Sequence, residues 1–173
     1  MSAQRPSIWR QETPLGVFWA AWEGEFVVAS GFGEPRHGWT HETRGAAYRA
    51  VRLALAGWLA GAPEAFVGLP IAPPATAFQR AVFAATAAVP FGTTVSYGDL
   101  ATRIGRPRGA QAVGQALARN PCLLLVPCHR VVPAAGGLGG YAGGAGLKAA
   151  LLAHEARLGG LSRGDRFWQG RCC

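Results

Sequence analysis

Lysine is almost missing from this sequence: sixteen of its seventeen basic residues are arginine, and Lys148 is the exception. Acidic residues are few as well, nine against those seventeen, which leaves a net charge of +8. Only 15% of the residues are charged while half are hydrophobic, which excludes a disordered chain and allows a buried core of one domain or two small ones. No apolar run approaches membrane-spanning length, and the first residues lack the basic stretch and apolar segment of a secretory leader. A cytoplasmic or nuclear protein that meets no membrane is expected. The cysteines, Cys122, Cys128, Cys172 and Cys173, lack paired zinc spacing, and such a compartment gives little reason for disulfides. His37 and His41 read as surface loop residues with no cysteine near them in sequence. The Gly-rich stretch 136–144 has no Gly-Lys-Ser/Thr and no dinucleotide-type context, so a nucleotide fold is not expected. Neither metal nor cofactor is implied.

What charge there is lies on one side. Residues 1–77 hold six arginines and six glutamates, whereas from Phe78 onward eleven basic residues face Asp99, Glu155 and Asp165. A neutral half joined to an arginine-rich half is the pattern of a nucleic-acid-binding unit beside a neutral one. Arginine suits forked contacts to phosphate or bases.

The first third predicts a small antiparallel sheet from Ser7–Glu12, Gly16–Trp22 and Phe26–Gly31, with turns at Thr13–Gly16 and Glu23–Glu25. A helix follows from about Thr43 to Leu59, burying Tyr48, Val51, Leu55 and Trp58. Leu69–Pro74 breaks regular structure and is the best linker. The organisation expected is therefore an N-terminal α/β domain over 1–74, a second domain over 75–160 and a flexible tail over 161–173. In the second domain a helix begins near Thr76 and ends at Pro90-Phe91-Gly92. Ser96 reads as an N-cap with Asp99 three residues on, opening a short helix to Ile104. Gly105-Arg106-Pro107 then turns into a helix over Arg108–Arg119, which makes a helix-turn-helix. That last helix, with Gly109, Ala110, Ala112, Gly114, Ala116 and Ala118, is nearly bare. It lacks the long polar side chains that read a major groove and suits either close approach to a minor groove or tight helix packing. A final helix covers Gly146–Leu158.

Pro127-Cys128-His129-Arg130-Val131 follows the apolar run Leu123–Val126, which reads as a buried strand. A thiol is a nucleophile only as thiolate, and imidazole or cationic neighbours lower its pKa. A lone cysteine is as readily a small core hydrophobe; the basic half and the bare helix favour the nucleophile. Cys122 reads as core, and the Cys172-Cys173 pair as a mobile end.

Phe78–Val82, Val89–Gly92, Val95-Ser96-Tyr97, Ala112-Val113-Gly114, Asn120-Pro121, Pro127–Val131, Gly140–Gly144 and Lys148 through Glu155 come in an order that resembles the O6-alkylguanine-DNA alkyltransferases. The resemblance runs from Phe78 to about Leu158; the N-terminal third matches only in general shape. It implies an α+β protein, a ribonuclease-H-like N-terminal domain before a winged-helix alkyltransferase domain. It implies stoichiometric transfer of an alkyl group from guanine O6, and from thymine O4, to Cys128, by a monomer on the minor groove of double-stranded DNA. His129 would be the base through a water, Glu155 would orient it, Asn120 would fasten the turn, and Tyr97 and Tyr141 would act on the extruded base. Gln111, Arg108, Ala110, Gly114, Gln115, Arg130 and Gly143 would contact DNA or substrate. Gln111 departs from the pattern, since an arginine that fills the vacated stack is usual there; weaker duplex extrusion with intact transfer from a free base is the expectation. The competing reading, a lesion-binding sensor without transfer chemistry, is disfavoured by the presence of Cys128, His129 and Glu155. A winged-helix regulator and a thiol protease fit less well, the first for want of base-reading side chains and the second for want of a cleft.

Overall fold

The computed structural model describes residues 6–35 and 39–159. His37, the Cys172-Cys173 pair and the tail from 161 lie outside the described residues.

Strands β1 (Ser7–Thr13), β2 (Gly16–Glu23) and β3 (Phe26–Phe32) form an antiparallel meander. Its first turn is closed by Thr13, whose hydroxyl donates to the Gly16 carbonyl at 2.7 Å. A two-residue strand β4 (Thr40–His41) pairs parallel to β1, giving the order β3-β2-β1-β4. The sheet is therefore mixed, not wholly antiparallel, and His41 is an exposed strand residue instead of a loop residue. Two residues are too few to show an alternating pattern in sequence. Helix α1 (Gly45–Leu59) lays Val51, Leu55 and Trp58 on the sheet's Trp9, Phe18, Trp22 and Val27.

Helix α2 (Ala77–Ala87) starts in a full capping box between Thr76 and Gln79. Helix α3 (Tyr97–Arg103) is capped by Ser96, whose Oγ accepts the Asp99 amide at 3.0 Å and donates to the Asp99 carboxylate at 2.7 Å. Gly105-Arg106-Pro107 turns the chain into α4 (Ala110–Ala118), which buries Val113, Ala116 and Leu117 and exposes Gln111, Ala112, Gln115 and Ala118. Strands β5 (Val95–Ser96) and β6 (Val131–Val132) pair in parallel, and α5 (Ala145–Gly159) closes the described chain. The whole is a mixed α+β fold in which no helix among the described residues is long and apolar enough to cross a membrane.

The outer edge of β3 joins the two halves. Val27 donates to the Pro70 carbonyl at 2.8 Å and accepts from the Ala72 amide at 2.8 Å, so part of the expected linker is held on the sheet. Further along, the Ser30 amide donates to Pro121 at 2.9 Å and the Leu123 amide to Ser30 at 3.1 Å. The edge's backbone groups are thus satisfied by the segment that leads to Cys128. That segment is not the strand expected over Leu123–Val126. It doubles back, with the Val126 amide on the Cys122 carbonyl at 2.9 Å and Leu124 at φ 75°. A left-handed leucine costs ~1–2 kcal/mol, so the turn needs outside support. Periodicity cannot tell a buried turn from a buried strand in so short an apolar run.

Candidate active site

Asn120 supplies that support. Its Oδ1 accepts the Cys122 amide at 3.0 Å, while Nδ2 donates to the Val126 carbonyl at 3.1 Å and lies 3.4 Å from the Cys122 carbonyl. The same Nδ2 donates to Cys128 Sγ at 3.1 Å. One buried amide therefore locks the turn and touches the thiol. Cys128 begins a single 3-10 turn, Cys128–Arg130, in which successive side chains diverge by roughly a third of a turn. Burial pushes the Cys128 thiol above its ordinary pKa, against the opposing pull of the Asn120 bond and the Lys148 charge. Lys148 does pull the pKa down, as a cationic neighbour should, but desolvation outweighs it. At rest the group is a thiol. Cys122, buried as expected, is pushed up to about 12 and is inert.

Glu155 is the centre of the charge arrangement. Oε1 accepts from His129 Nε2 at 2.9 Å, the Arg130 guanidinium at 2.8 Å and Trp58 Nε1 at 2.9 Å. Oε2 accepts from Arg130 Nε at 2.9 Å and the Gly92 amide at 3.2 Å. These donors outweigh burial and hold the carboxyl well below the usual carboxylate range. An ionised carboxylate only accepts, so His129 Nε2 must carry a proton and Nδ1 is the free lone pair. Burial lowers the His129 pKa more than Glu155 raises it, so the ring is neutral at rest. Its Nδ1 is fully buried without a protein partner, and no direct thiol–imidazole hydrogen bond is found among the described residues.

A cavity of about 470 Å³ opens on Cys128, lined by Tyr97, Gly114, Leu117, Ala118, Tyr141 and Ala142 among others. The Tyr141 hydroxyl is buried without a partner, and burial keeps it protonated. Tyr97 is half-buried, and its pKa is raised by burial and then by Cys128. Gly143, exposed, packs beside Tyr141: a Cβ there would sit 2.6 Å from Leu147 Cδ2 and 3.0 Å from the Tyr141 ring. Gly114 and Ala110 are half-buried on α4, with Gln111 and Gln115 exposed and Arg108 exposed just before the helix. A second cavity of about 520 Å³, lined by α2 and residues 71–75, does not include Cys128.

Arg130 corrects an expectation. The expected contact with DNA or substrate does not fit it, since it is 4% exposed, forked onto Glu155, and donates to the Val89 carbonyl at 2.6 Å. Sequence reasoning also missed three groups. Lys148 is enclosed, donates to the Val131 carbonyl at 2.7 Å, lies 6.0 Å from the Tyr97 ring centre and is drawn down by burial to about 8. Gly92, at φ 75°, offers its amide to Glu155 while a Cβ there would be 3.3 Å from the Glu155 carbonyl. Trp58 reaches Glu155 across 97 residues of chain. The signals available for Lys148 are its standing as the sole lysine and its place at the start of the last of the spaced motifs.

Known proteins resemble this chain in sequence and in fold. Residues 77–157 match the family described as 6-O-methylguanine DNA methyltransferase, DNA binding domain. A methylated-DNA–protein-cysteine methyltransferase of Haemophilus influenzae is 33% identical over 83% of this chain and 82% of its own length. One from Mycolicibacterium paratuberculosis is 42% identical over 70% of this chain and 72% of its own. Mycobacterium tuberculosis OGT, solved in complex with DNA, superimposes with a TM-score of 0.77 at 35% identity, over 87% of this chain and 93% of that one.

Proposed function

This chain belongs to the O6-methylguanine-DNA methyltransferase family, and from that premise we propose that Cys128 is the acceptor in its direct-reversal repair of DNA. The protein is a methylated-DNA–protein-cysteine methyltransferase that acts once. Cys128 Sγ attacks the alkyl carbon, the S–C bond forms as the C–O6 bond breaks, and the bond's electron pair leaves with guanine. His129 Nδ1 takes the thiol proton through a water in its buried surroundings; in the products the guanine regains a proton at N1. Glu155 holds the imidazole in the accepting tautomer and stabilises the imidazolium that forms. Tyr97 and Tyr141 donate to the extruded base and spread its negative charge. Thymine O4 is a second substrate of the same chemistry. The thioether is stable, so no step regenerates the thiol.

The observation that carries this reading is a thiol lining a cavity, followed directly in the chain by an imidazole whose Nδ1 lone pair is free and whose Nε2 is held by a fully bonded Glu155. Intact-mass measurement after mixing with duplex bearing O6-methylguanine tests it: one methyl per chain is expected, and none in Cys128→Ser. Binding without a mass change would instead make the protein a lesion sensor.

The sheet order, with β4 parallel to β1, supports a ribonuclease-H-like N-terminal domain over 1–74. Helices α2 to α4 with the β5–β6 pair support a winged-helix domain over 75–160. The short exposed side chains of α4, with Arg108 before it, suit the minor groove of double-stranded DNA. The protein works as a monomer in the cytoplasm or nucleus. Gln111 stands exposed on α4, where a longer cation would add a charge-assisted contact. Gln111→Arg should raise the transfer rate on duplex by up to about tenfold, the worth of one such contact, and leave single-stranded substrate unchanged. No gain on duplex would reject this role for position 111.

A further inference from the structure

Trp58 lies in the N-terminal half, yet its indole N–H ends on the carboxylate oxygen that holds the catalytic imidazole. The geometry points to Trp58 as a positioning residue that sets the basicity of His129 through Glu155, making the N-terminal α/β unit part of the active site. This rests on the reading of His129 as the base.

A carboxylate has about four lone-pair sites, and Glu155 receives Trp58, His129, Arg130 twice and Gly92, so it is saturated. The indole N–H is the donor that comes from outside the second half. Its aim is fixed by packing: the Trp58 ring lies 4.5 Å from His154, stacks at 6.4 Å on Phe66 and meets Phe91 edge-on at 6.4 Å. Trp58 is 1% exposed, so water cannot replace a lost N–H without entering a packed core.

The ionisable groups around the His129 ring are Glu155 and Lys148 of α5, Arg130 and Cys128 of its own turn, and Tyr141 of the Gly-rich loop, 6.5 Å away centre to centre. Around Glu155 lie His129, Arg130 and Tyr141, and the indole itself carries no charge. Each N–H on Oε1 withdraws negative charge from the atom that attracts the imidazolium. Removing one donor leaves Oε1 more basic, favours the protonated ring and raises its pKa. The base is then blocked up to a higher pH.

The test is the pH profile of methyl transfer in the full chain, read under single-turnover conditions for wild type, Trp58→Phe and His129→Ala. A fourth protein carries benzothienylalanine at position 58, which has sulfur in place of N–H and nearly the same shape. It keeps the test valid if the phenylalanine variant folds poorly. An acid limb that depends on His129 should move up by about half to one pH unit in the sulfur isostere, a three- to tenfold slower rate below the limb, with the alkaline plateau kept. A limb that stays in place, whatever the plateau does, overturns the role of Trp58. A wild-type profile whose acid limb survives in His129→Ala overturns the underlying reading of His129 instead.

Discussion

Glu155→Gln should cost both the fold and the chemistry. The carboxylate compensates the enclosed Arg130, and a neutral amide would leave that guanidinium unpaired in the core while offering N–H groups to donors. Breaking a buried pair by removing one partner costs about 3–5 kcal/mol. The shape is conserved, so the loss is electrostatic, and denaturant unfolding should show it as a lower midpoint with an unchanged slope. The pH dependence follows from the depressed pKa of Glu155. Its stabilisation is fully present above the ordinary carboxylate pKa and is lost as pH falls from there towards the lower folded value. Glu155→Gln should therefore flatten the acid side of the stability curve as well as lower its top. An unchanged midpoint at neutral pH would mean that Arg130 finds another partner and that Glu155 is not the hub described.

His129→Ala is the second large effect. Burial raises the Cys128 pKa, so without a base almost no thiolate exists at neutral pH. General base catalysis is worth about 10²–10⁴-fold, and the single-turnover rate at pH 7 should fall by that much. The direction with pH is equally specific. The variant's rate should climb through the alkaline range as hydroxide ionises the thiol, whereas the wild type, with a neutral imidazole already in place, should be flat there until its own thiol titrates. A flat and unreduced profile in the variant would remove His129 from the reaction.

Some of this site is legible in the sequence and some is not, for physical reasons. Local signals are reliable where the structure obeys them locally: Thr76 and Ser96 cap their helices, and the 3.6-residue stripe of α1 does face the sheet. Asn120 bonds to Cys128 and His129 to Glu155, pairs far apart in the chain that spaced motifs bring to notice and local patterning does not. The turn at Leu123–Val126 is illegible because its conformation is imposed by Asn120 and the β3 edge, not by the apolar residues themselves. Arg130 misleads because a cation in a basic half looks like a phosphate contact until its buried acceptor is known. Trp58 lies on a stripe that packing alone explains, and nothing in a sequence says where a buried indole N–H ends.

The most direct measurement of the central claim is peptide-level mass spectrometry of the protein after one turnover on duplex carrying O6-methylguanine. The predicted result is a single methyl, on the peptide containing Cys128 and on its sulfur, in one-to-one yield with guanine restored. A methyl on Cys122 or on the Cys172-Cys173 pair, or tight binding of the lesion with every cysteine unmodified, would contradict it.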